Sequence, residues 1–293
     1  MTDVPAPADP DQVSAWLDDL NRRLPLHGEV LRQLRDGARL DARVVQVSVG
    51  CSIARGTADE FSDIDCELSL SEEAWPSGLE LVEPLVRSCG DVVELLHHQW
   101  PGAGTGESRR TAVVYASGVQ LDLMVWPVSA WSGMRPPNTV VLYATCPVFT
   151  RPWDPGGALA SDARLREWRF LGWWALLDAD KYLRRGSFWE ARQRLEQART
   201  VVWQLSAAAQ GVPFPEYGIT SLLDAAGARL PDAAETTAAL NDIPGLRAAV
   251  SRCADLLADQ WNLLAGRGDD GQHPLPAIPR WAMERLGRPF HEP

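Results

Sequence analysis

Lysine is almost absent from this sequence of 293 residues: Lys181 is the only lysine among 28 basic residues, and arginine supplies the other positive charges. No stripe of basic residues runs along the chain either. Proteins that bind the backbone of a nucleic acid neutralise its phosphates with clustered Lys and Arg side chains. Without such a cluster, DNA and RNA are disfavoured as partners.

Long apolar runs are missing as well, since no uninterrupted stretch approaches the roughly 18 residues that a membrane span needs. Residues 1–10 are acidic and rich in proline, without the apolar segment of a signal peptide, so we expect a frayed tail there. The five cysteines form no C-x-x-C pair, which predicts reduced thiols and neither a zinc site nor a disulfide framework. These features predict a cytoplasmic protein with no membrane partner.

The negative charge is concentrated in one half of the chain. Of the net charge of −11, residues 1–150 contribute 11 arginines against 21 acidic residues, a net of −10, and residues 151–293 contribute 17 basic against 18 acidic residues, a net of −1. An acidic surface attracts cationic small molecules, although acidic surfaces also serve solubility alone. The first half therefore suits a small, positively charged substrate.

The most informative stretch of the sequence is Val49–Leu68. It follows a run of β-branched residues at alternate positions, 43–49, that predicts a strand. After this strand, Gly50, Ser52 and Gly56 predict a loop in which backbone N–H groups and a hydroxyl can approach an anion without steric hindrance. The loop is therefore a candidate phosphate-binding turn.

Two carboxylates follow the turn at the spacing of a strand. Side chains alternate along a strand, so Asp63 and Asp65 share one face about 7 Å apart while Ile64 points the other way, into the core. Neighbouring carboxylates repel each other unless a cation lies between them, and Mg²⁺ prefers hard oxygen ligands of this kind. The alternative is a surface loop that leads into an acidic strand end.

A turn of this type followed by Asp-x-Asp resembles the signature of the polymerase-β-like nucleotidyltransferase superfamily. The runs Ser52–Ala58 and Ser62–Asp65 look most like the small-molecule and minimal members of that superfamily. The order of turn, Asp-x-Asp, a third aspartate and then a helical second half with Lys181 is similar to the antibiotic nucleotidyltransferases, with the aminoglycoside and streptomycin enzymes nearest and the lincosamide enzymes next. The sequence departs from the pattern at Cys51, which stands where the superfamily has glycine directly before the serine, with Gly50 one residue earlier. We expect the Cys51 side chain to crowd the approach of a phosphate.

A third carboxylate, Asp122, lies in the clearest hairpin of the sequence. Two strand-like runs, 111–116 and 119–126, flank a Ser–Gly turn, and Asp122 alternates with apolar neighbours in the second run. The resemblance implies a third carboxylate on a strand beside the Asp-x-Asp strand. With neighbouring strands about 4.8 Å apart, Asp122 can join Asp63 and Asp65 in one cluster. The alternative is a solvent-facing residue on an edge strand.

The resemblance also implies a reaction. It is the transfer of a nucleoside monophosphate, AMP from ATP, to a hydroxyl group of a small molecule such as an aminoglycoside-like antibiotic, with release of pyrophosphate and resistance as the consequence. Two Mg²⁺ ions held by Asp63, Asp65 and Asp122 would neutralise the charge that builds up during the transfer. Asp122 is the candidate general base for the acceptor hydroxyl, with Glu94 on the preceding strand as a reserve.

Four residues are expected to bind the nucleotide. Gly50, Ser52 and Arg55 would hold the β- and γ-phosphates from the turn. Lys181 would reach the triphosphate from the second half of the chain, as a lysine does in the resembled enzymes. The alternative for Lys181 is an ion pair with Asp178, three residues earlier on the same helix face.

The elements predict an α+β protein with two domains. Residues 1–155 are expected to form the nucleotidyltransferase domain, a mixed β-sheet flanked by helices, in which residues 11–40 supply two helices broken near Pro25. Residues 156–293 contain no convincing strand and are expected to form an all-α bundle that closes on substrate and nucleotide. Its predicted helices are 162–185, 188–209, 221–228, 245–265 and 279–286.

Two other functions stay open at the level of the sequence. One is a nucleotidyltransferase that modifies a protein or a tRNA end, as toxin–antitoxin and regulatory members of the superfamily do. The other is a nucleotide-binding module without catalytic activity, in which Cys51 impairs the turn. Label from ATP that appears only on macromolecules would identify the first, and ATP binding without pyrophosphate release would identify the second.

Overall fold

The computed structural model describes residues 9–99, 108–130, 139–147, 155–240 and 242–265, together with Ala282 and Leu286. The chain divides into two compact units, residues 1–153 and 154–293. Each unit has a hydrophobic core of its own.

The first unit opens with two helices, α1 (Pro10–Arg23) and α2 (Pro25–Arg39). The side chain of Asp9 caps α1 by accepting the backbone N–H of Asp11 at 3.0 Å. Proline lacks an N–H and is suited to the first position of a helix, so Pro25 ends α1 and begins α2. The predicted break near Pro25 is confirmed. The fully buried leucines of the two helices are Leu17, Leu20, Leu31 and Leu34.

The described strands of this unit form one mixed sheet. They are β1 (Val44–Val49), β2 (Ile64–Leu70), β3 (Val92–Gln99), β4 (Arg109–Tyr115), β5 (Gln120–Pro127) and β6 (Val140–Ala144). Their order across the sheet is β3-β4-β5-β2-β1-β6. The pair of β2 and β5 is parallel, and the other neighbouring pairs are antiparallel. With the helices around it, this sheet confirms the predicted α+β class.

The two faces of the central strands differ in chemistry. The side chains that point to one face are buried and apolar: Ile64, Cys66, Leu121 and Leu123. They share a core with α1, α2 and a further helix, α4 (Val82–Ser88). Because side chains alternate along a strand, Asp65 and Asp122 point to the opposite face. The acidic residues of both strands therefore meet on one side of the sheet.

The strands β4 and β5 form the predicted hairpin, but a three-residue loop, 116–118, replaces the expected two-residue Ser–Gly turn, and the N–H of Tyr115 donates to the carbonyl of Val119 at 3.0 Å. Gly118 in its turn has a φ of 90°, which glycine adopts without steric cost, and its N–H donates to the carbonyl of Tyr115 at 2.9 Å. Within the hairpin Ala112 pairs with Asp122. Because β5 lies between β4 and β2, Asp122 is on an interior strand. The alternative that placed Asp122 on an edge strand is wrong.

The described part of the second unit is helical. Its α-helices are α5 (Asp162–Arg184), α6 (Phe188–Ala209), α7 (Ile219–Asp224) and α8 (Ile243–Ala265). Trp173 and Leu176 lie at the centre of its core. The helices approach closely at Gly172, where an added Cβ would lie 2.9 Å from the side chain of Val201.

Two of the predicted helices either differ in position from the structure or lie largely outside the described residues. The helix expected at 221–228 is α7, which is shorter and begins two residues earlier, at Ile219. Gly218 directly precedes it with a φ of 60°, which glycine adopts without steric cost, so the turn ends there and the helix begins. The helix expected at 279–286 lies outside the described residues except for Ala282 and Leu286. Among the helices that the structure describes, none combines the length and the apolar character that crossing a bilayer requires.

Candidate functional site

The stretch expected to form a phosphate-binding loop contains a short helix, α3 (Cys51–Arg55). Gly50 precedes it in an extended conformation, and Gly56 ends it with a left-handed φ of 74°. Ile53 on this turn is only 1% exposed and anchors it in the core. Sequence reasoning missed the helix because one turn is too short to give a periodic pattern.

A backbone hydrogen bond ties the turn to the acidic strand. The N–H of Gly50 donates to the carbonyl oxygen of Asp65 at 2.9 Å. Added Cβ atoms at Gly50 and Gly56 would meet nothing within 4 Å. Both glycines therefore face open space.

The residue between Gly50 and Ser52 adopts an unusual conformation. Cys51 has a φ of 53°, in the left-handed region that residues with a Cβ rarely occupy. Its side chain is exposed, and it forms a hydrogen bond with the carboxylate of Asp65. Glycine would adopt this backbone conformation without strain, whereas the thiol gives Cys51 a contact that glycine would lack.

The three predicted carboxylates lie at one end of the sheet. Asp65 and Asp122 are direct partners in the register of the parallel pair β2 and β5. Asp63 is exposed and stands immediately before the first residue of β2. Because β1 runs antiparallel to β2, the turn that follows β1 lies at this same end. The sheet therefore brings the turn and the two acidic strands together.

The electrostatics of Asp65 reflect this crowding. Burial is the largest cause that raises the pKa of its carboxyl, and the negative charges of Asp63 and Asp122 raise it further. The hydrogen bond from Cys51 and the positive charge of Arg55 act in the opposite direction. Arg55 is therefore close enough to the acidic cluster to act on its charge.

Glu67 is an acidic neighbour that sequence reasoning did not select. It lies two residues after Asp65 on the same strand face, and its Oε2 accepts the Ser48 hydroxyl at 3.3 Å. The pKa of Glu67 is raised to about 7: burial is the largest cause, the hydrogen bond from Ser48 acts against it, and the charge of Asp65 raises the pKa further. The alternation Asp63, Asp65, Glu67 in the sequence was enough to place it on this face.

Arg110 is the second residue that sequence reasoning missed. It lies on β4, and its guanidinium contacts both carboxylate oxygens of Asp122. The Nε donates to Oδ1 at 2.7 Å, and Nη2 lies 2.5 Å from Oδ2. Arg110 pairs with Met124, two residues from Asp122, and so lies on the same face of the hairpin as Asp122. A two-residue Ser–Gly turn predicts a register shifted by one residue, with Arg110 on the opposite face, so this contact did not follow from the sequence.

The donor set at this end of the sheet fits a hard divalent cation in kind, because the side chains are carboxylates. Asp63 and Asp65 can supply oxygen ligands directly. Arg110 already engages one side of both oxygens of Asp122, so a cation at Asp122 would compete with the positive charge of the guanidinium. Within the described ranges, no group of three or more His, Cys, Asp or Glu side chains is arranged to hold a metal ion.

The other residues predicted to act in the site lie on three different elements. Lys181 lies on α5 in the second unit, and its Nζ donates to Oδ1 of Asp178 at 2.5 Å, which is the ion pair named as its alternative. Ser52 is partly buried in the turn, where its carbonyl accepts the N–H of Thr57 at 3.0 Å. Glu94 lies on β3, so that β4 separates it from the strand of Asp122. The nucleotide-binding roles of Ser52 and Lys181 stay predictions.

Comparison with solved structures finds distant neighbours of this chain. No protein-family model matches the chain, and no curated protein matches it. A crystal structure of an aminoglycoside 6-adenyltransferase from Bacillus subtilis is similar with a TM-score of 0.41 and 11% sequence identity, over 88% of this chain and 95% of that chain. At these values the two proteins resemble each other only remotely.

Proposed function

We propose that this protein is a nucleotidyltransferase that depends on a divalent metal, with Mg²⁺ as the metal and ATP as the donor. It transfers the nucleoside monophosphate to a hydroxyl group of a small molecule and releases pyrophosphate. The acceptor class is that of cationic, hydroxyl-rich compounds such as aminoglycosides.

One observation carries this proposal. Asp65 is joined to the turn by the hydrogen bond from Gly50 and is paired in register with Asp122 on the adjacent parallel strand. A turn with open space before its glycines and a pair of carboxylates on neighbouring strands are the two elements that nucleotidyl transfer needs at one place. Transfer of this kind depends on positioning and on neutralising charge more than on covalent help from the protein.

The residues of the turn would position the triphosphate. Backbone N–H groups near Gly50, the hydroxyl of Ser52 and the guanidinium of Arg55 are donors suited to phosphate oxygens. Arg55 already acts on the charge of Asp65, so it lies at the border between the turn and the carboxylates. Lys181 is the proposed contribution of the second unit.

The carboxylates would hold the cation and take up a proton. When bound by Asp63, Asp65 and a released Asp122, the cation would supply neutralisation of the triphosphate charge. A carboxylate oxygen of Asp122 would accept the proton of the acceptor hydroxyl. A general base of this kind contributes about 10² to 10⁴ in rate, so its loss slows turnover without abolishing nucleotide binding.

The acceptor class rests on charge. Residues 1–150 carry a net charge of −10, which favours a cationic molecule over a nucleic acid. The same charge disfavours the tRNA-directed alternative, because a phosphate backbone is bound by clustered basic side chains.

The decisive experiment is an acceptor screen. The full chain is incubated with labelled ATP and Mg²⁺ and with aminoglycosides, streptomycin, lincosamides, bulk tRNA or lysate proteins, and pyrophosphate release is measured. We expect release and label transfer with a cationic small molecule. Label found only on protein or tRNA would replace the small-molecule acceptor with the macromolecular one.

A module that binds nucleotide without catalysis is a second candidate. It is favoured by the engagement of Asp122 with Arg110 and by the side chain at Cys51, both of which stand in the way of a complete metal and phosphate site. In that case calorimetry detects ATP binding while no acceptor yields pyrophosphate. Release of pyrophosphate with any acceptor rejects this candidate.

A further inference from the structure

The contact between Arg110 and Asp122 has the geometry of a specific pair. Both distances, 2.7 Å and 2.5 Å, join separate guanidinium nitrogens to separate carboxylate oxygens, which is the two-pronged arrangement of the strongest charged hydrogen bonds. Arg110 and Asp122 are diagonal neighbours on one face of the hairpin, so the strands hold both side chains in place. About a quarter of the Asp122 side chain and 30% of the Arg110 side chain are exposed, so solvent and ligands can reach the pair.

Arg110 also interacts with the rest of the acidic cluster. The hydrogen bond with Asp122 is the largest cause that raises the pKa of the guanidinium, and the charges of Asp122, Asp65 and Asp63 raise it further, in that order. The arginine is thus a counter-ion for all three carboxylates, bonded to one of them. In the proposed function the same carboxylates bind a cation, so Arg110 and the metal compete for the same oxygens.

We propose that Arg110 is a positioning residue that holds Asp122 in the nucleotide-free protein and transfers to the triphosphate when metal and nucleotide bind together. This inference rests on the proposed function and adds an order of ligand binding to it. The metal alone binds weakly, and binding of the nucleotide completes the metal site.

The exchange is feasible because a guanidinium pairs with phosphate oxygens in the same two-pronged manner as with a carboxylate. Arg110 therefore loses no hydrogen bonds when it moves from Asp122 to a phosphate. Asp122 meanwhile exchanges one positive partner for another. Each charged group therefore has an oppositely charged partner both before and after the exchange, which avoids the cost of leaving a partly buried charge unpaired.

The neighbouring residue provides a matched control. Arg109 precedes Arg110 on β4 and therefore points to the opposite face of the sheet. Its Nη1 donates to the carbonyl of Ser108 at 3.1 Å, and its guanidinium lies 5.9 Å from the ring centre of Trp75. Arg109→Gln and Arg110→Gln remove the same charge from adjacent positions, so a difference between them isolates the contact with Asp122.

The first measurement is the affinity for Mn²⁺ alone. Electron paramagnetic resonance quantifies the free ion in titrations of the full chain and of both variants. We expect Arg110→Gln to bind Mn²⁺ about three- to thirtyfold more tightly than the unmodified protein, the range expected for removal of a partly exposed charged hydrogen-bond partner. Arg109→Gln should stay within about twofold, since only distant charge is lost. Equal Mn²⁺ affinity of Arg110→Gln and the unmodified protein would show that Arg110 does not compete with the metal for Asp122.

The second measurement is binding of a non-hydrolysable ATP analogue in the presence of saturating Mn²⁺. We expect Arg110→Gln to weaken it severalfold, because the phosphate loses a partner, and Arg109→Gln to leave it unchanged. Unchanged analogue affinity in Arg110→Gln would overturn the transfer of the guanidinium to the triphosphate.

The same data separate this inference from the proposed function. An unmodified, folded protein that binds neither Mn²⁺ nor the analogue rejects the proposed function itself. Binding of both ligands, with no effect of Arg110→Gln, rejects only the role of Arg110. If circular dichroism shows that Arg110→Gln does not fold, Arg110→Lys carries the test: it keeps the charge but loses the two-pronged contact, so it should shift Mn²⁺ affinity in the same direction by a smaller factor.

Discussion

The N–H of Gly50 donates to the carbonyl of Asp65 at 2.9 Å, so the backbone of the turn is fixed to the strand that carries the central carboxylate. A displacement of either element moves the other. The position of the candidate phosphate site relative to the candidate metal ligands is therefore set by the backbone of β1 and β2, and side-chain substitutions within the site should change chemistry without disturbing this arrangement.

Substitution of Asp63 and Asp65 tests whether side chains of the site can be changed without disturbing the fold. We expect Asp63→Ala and Asp65→Ala to lower turnover by several orders of magnitude, because two ligands of the cation are lost, while the melting temperature changes little. Asp65→Ala also removes a carboxyl whose pKa is raised by burial and by neighbouring charges, so it should not destabilise the fold. Pyrophosphate release and thermal melting are the measurements.

Glu60→Gln is the control for these variants. Glu60 is exposed, three residues before Asp63, and its substitution removes a negative charge from the same segment. Turnover should be unchanged. Activity retained in Asp63→Ala or Asp65→Ala would remove that residue from the metal site.

The left-handed conformation of Cys51 leads to a prediction about stability. Cys51→Ala keeps the Cβ and its strain, whereas Cys51→Gly removes it, and both variants lose the thiol. The free energy of unfolding should therefore be higher for Cys51→Gly than for Cys51→Ala by about 1 kcal/mol. Urea unfolding of the two variants measures the difference. Equal stabilities would mean that the turn relaxes out of the left-handed region when the thiol is absent.

Cys253 should make stability depend on alkaline pH. Burial in the helical unit raises the pKa of its thiol from 9.0 to about 12. A group whose pKa is raised on folding stabilises the protein fully below its unfolded pKa, near 9, and this contribution is lost as the pH rises towards 12. The stability advantage of the unmodified protein over Cys253→Ala should therefore shrink by about 2 kcal/mol between pH 8 and 10.5.

Urea unfolding at the two pH values measures this change. Cavity formation in Cys253→Ala lowers stability at both values equally, and the other buried thiols are common to both proteins, so neither affects the difference. A constant difference between the two proteins across this pH range would show that the thiol ionises as easily in the fold as in the unfolded chain.

The sequence predicted the class of the fold and the strand positions around the site because these depend on local patterns. Alternation of apolar residues located β2 and β5, and a Ser–Gly turn defined the hairpin that carries Asp122. The register that pairs Asp65 with Asp122 depends on a parallel contact between strands that are distant in the sequence. No local pattern encodes that register, so only the adjacency of the two strands was expected, from resemblance.

Arg110 and α3 show where sequence reasoning fell short for different reasons. The contact of Arg110 with Asp122 depends on the three-residue loop of the hairpin, whereas the two-residue Ser–Gly turn expected from the sequence puts Arg110 on the opposite face. The helix α3 was not available, since a single turn that depends on Gly50 and Gly56 has no period to detect. The conformation of Cys51 was likewise hidden, because a φ above zero at a cysteine contradicts its intrinsic preference.

The exposed cysteines offer a direct test of nucleotide binding at the turn. Cys51 lies after the last residue of β1, and Cys146 follows β6 next to Thr145, whose N–H donates to the carbonyl of Val45 at the start of β1. The length of β1 therefore separates the two thiols, about 16 Å at 3.3 Å per residue. Both should react with a thiol reagent in the folded protein, whereas buried Cys66, Cys89 and Cys253 should react only after unfolding.

Addition of ATP with Mg²⁺ should slow the labelling of Cys51 at least tenfold, because the triphosphate covers the turn, and should leave the rate at Cys146 unchanged. Mass spectrometry of the labelled peptides distinguishes the two sites. Cys51→Ala serves as the control, since protection by ATP should vanish from the total labelling of this variant. Equal protection of Cys51 and Cys146 would point to a general tightening of the first unit, and no protection at Cys51 would place the triphosphate away from this turn.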